Sequence, residues 1–163
     1  MKKVVLFCLM SCVVNITTKA QTKDTSSTIK NKKMINFAYT ILYVQDVTKS
    51  ITFYEKAFGF KQKFITPDSS YGEVITGETT LSFASVALAH SNLKEGFTES
   101  NLQNKPFGIE IGFTTNDIPD TVKKAVEAGA KLAAEPKTKP WGQVVAYVRD
   151  LDGFLVEICT PVN

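Results

Sequence analysis

Ala38-Tyr-Thr-Ile-Leu-Tyr-Val44, then Asp46, then Val47, Ile51, Tyr54 and Phe58 closing on Gly59: this stretch decides how the chain is read. The first seven residues are rich in β-branched and aromatic side chains, which predicts a strand. Asp46 offers a side-chain acceptor to the free N–H groups of a helix start. The apolar residues after it fall at helical spacing, which predicts an amphipathic helix of about three turns, and Gly59 supplies a left-handed residue that ends it. Three strands are predicted next, over Phe60–Ile65, Tyr71–Thr76 and Thr80–Ala89, with turns at Pro67-Asp68-Ser69-Ser70 and Gly77-Glu78.

The same order then recurs. Ile109–Thr115 reads as a strand, Asp117 as an N-cap, Ile118, Val122, Ala125 and Val126 as a helical stripe, and Gly129 as its end. Lys131–Glu135, Gln143–Arg149 and Phe154–Thr160 read as three more strands, the last preceded by the turn Asp150-Leu-Asp-Gly153. Thirteen positions separate Asp46 from Gly59, and twelve separate Asp117 from Gly129. A repeat of this kind is a duplicated structural unit. The expected fold is α+β, two tandem βαβββ modules: module one over 37–90, a connection over 91–106 and module two over 107–161. That connection is long for a plain linker, so part of it is expected to cover a site.

Working outward, Gln21–Lys33 is polar, with almost nothing to bury, and residues 21–34 are expected to be a disordered tether ahead of the folded part, 35–163. Residues 1–20 read as a signal peptide: Lys2 and Lys3, an apolar run from Val4 to Val14, then Thr18-Lys19-Ala20 as a cleavage site. The run is short for a bilayer span. Export to the periplasm or beyond is therefore expected. Leu9-Met10-Ser11-Cys12 also loosely matches a lipobox, which leaves a lipoprotein cut before Cys12 as a variant. Losing Lys2, Lys3 and Lys19 leaves sixteen basic residues against sixteen acidic ones. A neutral mature chain gives no support for nucleic-acid binding. Cys159 would be its only thiol, which precludes an intrachain disulfide.

Several motifs carry a family resemblance. They are Tyr43-Val44-Gln45-Asp46, Phe53-Tyr54 with Phe58-Gly59-Phe60, Phe113-Thr-Thr-Asn-Asp117-Ile118, Pro140-Trp-Gly-Gln143, and Tyr147-Val-Arg-Asp-Leu-Asp-Gly153-Phe-Leu-Val-Glu157. In this order they resemble the vicinal oxygen chelate superfamily, the glyoxalase, bleomycin-resistance and extradiol-dioxygenase group. The resemblance implies sheets that curl into a half-open barrel around a small-molecule pocket, and a homodimer. It also implies metal-ligand positions, which fall on Tyr39, Glu110 and Glu157. Only Glu157 is a usual ligand type there, and the single histidine, His90, falls at the expected end of the fourth strand. Zinc, nickel and ferrous sites favour imidazole. No resident cofactor is therefore expected, with a divalent metal as the alternative.

Strand alternation selects the remaining candidates. Glu110 and Glu157 would face one cavity, where two carboxylates cannot both ionise cheaply and one becomes a general base. Tyr39 and Tyr43 would supply phenolic hydrogen bonds. Trp141 with Gln143 would hold a flat ligand, and Tyr147 and Arg149 share the parity of Gln143. For each the alternative is structural: paired carboxylates, core tyrosines, a Trp covering an edge, Arg149 neutralising a neighbour. The leading functional expectation is a metal-free pocket for a small organic molecule. Its rivals are a glyoxalase-like lyase or isomerase with a carboxylate base, and a scaffold with a vestigial pocket.

Overall fold

The computed structural model describes residues 35–162. The expected signal peptide, 1–20, and the expected tether, 21–34, both lie outside these residues. Module one runs β1 (Tyr39–Val44), α1 (Val47–Phe58), β2 (Lys61–Ile65), β3 (Tyr71–Ile75), β4 (Thr80–Ser85) and α2 (Val86–Asn92). Module two runs β5 (Glu110–Thr114), α3 (Ile118–Glu127), β6 (Lys131–Thr138), β7 (Val144–Arg149) and β8 (Leu155–Cys159). The caps read from sequence form as such. Asp46 accepts from Lys49 N–H, Asp117 accepts from Asp120 N–H, and Gly59 ends α1 at φ 73°.

The strands make two four-stranded sheets of identical topology, β1-β4-β3-β2 and β5-β8-β7-β6. In each, the first strand runs parallel to the last and the other neighbours are antiparallel. The sheets do not close into a barrel. Each sheet packs one face on a helix, and alternation sorts the side chains accordingly. Leu42, Val44, Leu81 and Phe83 in the first sheet, with Val148, Val156 and Ile158 in the second, are buried against Ile51, Tyr54, Ile118 and Val122. The opposite, inner face is left to Tyr39, Ile41 and Tyr43 on β1 and to Glu110, Gly112 and Thr114 on β5, and these last three are exposed.

One expectation fails. The fourth strand stops at Ser85, and Val86–Asn92 is a helix rather than strand. The Ser85 hydroxyl accepts from Leu88 N–H as an N-cap, ahead of the good helix formers Ala87, Leu88 and Ala89. His90 accordingly stands in the last turn of a helix, not at a strand end.

The turn between β7 and β8 also joins the modules. Asp150 and Asp152 are buried. Asp150 Oδ2 accepts from Tyr54 Oη at 3.0 Å, and Asp152 accepts from Ser50 Oγ at 2.9 Å and from Gln45 N–H at 2.9 Å. A module-two turn is thus bolted to the start of α1. Buried acceptors satisfied in this way avoid the penalty of an unpaired polar group.

Candidate functional site

Register places the inner-face groups of the second sheet. Gly112 pairs with Glu157, which pairs in turn with Tyr147, so β5, β8 and β7 bring these three into one row. Glu110 lies one row away, paired with Leu155. Tyr147 Oη donates to Glu157 Oε2 at 2.7 Å. Glu110 is exposed as a whole, but limited desolvation of its carboxyl, followed by the charge of Glu157 and a hydrogen bond to it, raises its pKa, and the charge of Lys139 opposes this only in part. The hydrogen bond to Glu157, then burial, pushes Tyr147 up to about 12. Burial, with Glu157 beside it, pushes the Cys159 thiol up to about 11. Glu110, Glu157 and Tyr147 thus form one anionic cluster in which a proton is retained more readily than on a lone carboxylate.

Beside this cluster runs a cleft of about 560 Å³ along the seam of β1 and β5, the free edges of the two sheets. Ile41, Leu81, Ile109, Phe154 and Leu155 give it apolar walls, and Glu110 is its one ionisable lining group. Its volume lies within the range of small-molecule sites, about 300–1,000 Å³. A second cleft of about 370 Å³ shares Ile41 and Phe154 with it and is bounded by Tyr43, Phe97 and Phe107.

The other candidate residues are placed differently. Tyr39 is half exposed at the start of β1. Tyr43 packs its ring on Phe97, centroids 4.8 Å apart. Trp141 is 66% exposed, and its indole N–H donates to Gln143 Oε1 at 2.8 Å. Gln143 Nε2 donates in turn to Thr160 O at 2.7 Å. Neither lines the seam cleft. The Arg149 guanidinium is spent on the carbonyls of Gly153, Asn101 and Asn104, at 2.7, 2.7 and 2.9 Å. It neither neutralises Glu157 nor faces the cleft; it ties down the connection between the modules. His90 bonds Glu99 and stacks on Phe97, remote from the carboxylates in role. Sequence reasoning missed Phe97, Phe107 and Phe154, because an aromatic in a loop has no periodicity to say where it packs. It also missed a polar cluster on the first sheet, where Glu73 accepts from Lys63 Nζ at 2.7 Å and from Tyr71 Oη at 2.9 Å.

This duplicated architecture is matched by a family model. The model of the Glyoxalase/Bleomycin resistance protein/Dioxygenase superfamily covers residues 36–158. The chain belongs to this superfamily. A virulence protein of Salmonella typhimurium is 27% identical over 124 residues, 74% of this chain and 80% of that protein. Among solved structures, a glyoxalase-related enzyme from Fulvimarina pelagi superposes with a TM-score of 0.68 at 21% identity, over 78% of this chain and 89% of the other. A hypothetical protein from S. aureus superposes at 0.67 and 27% identity, over 78% and 95%. The superfamily often uses a divalent metal, so the donor set of this member bears directly on its chemistry. Among the described residues no three His, Cys, Asp or Glu side chains converge as a metal site would require. The positions that the resemblance implies for metal ligands, Tyr39, Glu110 and Glu157, offer one half-exposed phenol and two carboxylates, one of them already accepting from Tyr147. Such a set lacks the imidazole that zinc or ferrous ion favours, and falls short of the six or more oxygens of a calcium site. The residues do not fit the group.

Proposed function

We propose that this superfamily member is exported and binds a small organic molecule at the seam between its modules, with Glu110 and Glu157 as polar anchors and no resident metal. The observation that carries the reading is the carboxylate pair set beside an open apolar cleft of about 560 Å³. Apolar walls supply affinity through burial, and a few fixed polar groups supply orientation. Export rests on the basic and apolar run of residues 1–20. N-terminal sequencing of protein made from the full-length chain should begin at Gln21, and an N-terminus at Cys12 would replace it with the lipoprotein variant.

The binding reading is tested by thermal-shift screening of a broad small-molecule library, followed by calorimetry. Compounds that stabilise the wild-type protein should lose at least about tenfold in affinity on Glu110→Gln, as expected when a charge-assisted hydrogen bond of roughly 1.5–3 kcal/mol is removed. A library in which nothing binds, or in which every binder ignores Glu110→Gln, would refute it.

A catalytic reading has one specific support, the raised pKa of Glu110, which suits a carboxylate that abstracts a proton in a lyase or isomerase. On that reading Glu110→Gln, which removes the base, and Glu157→Gln, which removes its charged neighbour, each abolish turnover of a compound found in the screen while the fold stays intact. The openness of the cleft speaks against a pocket that has lost its function.

A further inference from the structure

Building on the binding reading above, we propose that the ligand is an elongated amphiphilic amine, with its ammonium head at Glu110 and an aromatic or branched tail beneath the connection between the modules. The two clefts are neighbours that share Ile41 and Phe154 as lining, so a ligand long enough to pass these two side chains reaches both. The two clefts differ in chemistry. At the head, none of the ion pairs within 4 Å among the described residues involves Glu110 or Glu157. Tyr147 and the Cys159 thiol both serve Glu157, and Lys139 acts on Glu110 only through its charge. No N–H group among the described residues reaches Glu110, and a ligand that brings a positive charge and several N–H groups supplies what is missing there. A carboxylate or phosphate head would meet like charge instead.

At the tail, Tyr43, Phe97 and Phe107 form an aromatic wall. That wall is set in place before any ligand arrives. Phe97 is sandwiched between Tyr43 and His90, at centroid distances of 4.8 and 4.7 Å. Glu99 bonds both His90 and Gln45, and Arg149 grips the carbonyls of Asn101 and Asn104. A wall already ordered costs little further entropy on binding. Head and tail subsites joined end to end select length, which a single compact pocket would not.

The test is calorimetry of the full mature chain with benzylamine, 4-phenylbutylamine, 6-phenylhexylamine and 6-phenylhexanoic acid. Burying one methylene tightens binding roughly fourfold at most, so 6-phenylhexylamine should bind at least about tenfold more tightly than benzylamine, and the acid at least about tenfold more weakly than the amine of matching length. Phe97→Ala should cost the long amine several-fold more than it costs benzylamine. Ile41→Trp, which fills the junction, should do the same by a different route, with circular dichroism and Tm confirming that both variants fold. A flat dependence on length, equal losses for long and short amines, or an acid that binds as well as its amine would each overturn the inference. If no amine binds but another screened compound binds through Glu110, this inference falls and the broader proposal stands. If nothing binds at all, both fall.

Discussion

Glu110 shows how a neighbour, rather than a residue type, makes a candidate group. Its carboxyl is held above the usual range by limited desolvation and by Glu157. Glu157→Gln removes the like charge, so the Glu110 pKa should fall toward the ordinary carboxylate value, which a carbon-13 NMR titration of side-chain carboxyls would follow. No fall would mean that the two groups do not interact. Cys159 responds to the same environment: with its thiol pushed up to about 11 and its side chain buried, little thiolate exists at pH 8. Iodoacetamide at pH 8 should leave it unmodified in the folded protein and alkylate it in urea. At this scale the family resemblance nominated Glu110 and Glu157, and alternation along β5 and β8 said only which neighbours share their faces. The same reasoning nominated Arg149, because parity says which face a side chain leaves from and not which carbonyls a long guanidinium reaches.

Between elements, the bolt from the β7–β8 turn to α1 is the feature with the most energy at stake. Tyr54 is fully buried, and its hydroxyl donates to Asp150. Tyr54→Phe leaves a buried acceptor short of one partner and should cost about 1–3 kcal/mol in urea denaturation. Burial, the largest effect, with the charge of Asp152 adding to it, pushes Asp150 up to about 7. The folded pKa lies above the unfolded value near 3.8. Stability from this group is therefore complete below about pH 4 and is lost as pH rises through about 7. Asp150→Asn keeps an acceptor for the turn but cannot ionise. The stability difference between wild type and variant should change across pH 4–7 and be flat above about pH 8. A difference that is constant throughout would show that Asp150 does not titrate there. The connection between modules depends on Arg149 in the same way. Arg149→Lys cannot reach three carbonyls with one ammonium, so amide exchange over residues 99–104 should accelerate while exchange in α1 and β8 stays unchanged.

The whole molecule leaves its inner face open, and Tyr39, Ile75 and Ile109 are each more than half exposed. No helix of the described residues is long and apolar enough to cross a membrane.

Order and spacing alone determined the duplication, because caps, helical stripes and β-branched runs are local signals that recur with their period intact. The βαβββ order, Asp46 and Asp117 as N-caps and Gly59 as a terminator were all legible that way. The α2 helix was not, because Ser85-Val86-Ala87-Leu88 suits either a strand end or a capped helix until neighbours decide. Only the tertiary structure showed that Asp150 and Asp152 serve α1 as well as their own turn, that Phe97 and Phe107 wall a cleft, and that Arg149 holds a loop. Each of these depends on a partner far away in the chain, and distance along the sequence carries no record of which side chains burial will bring together.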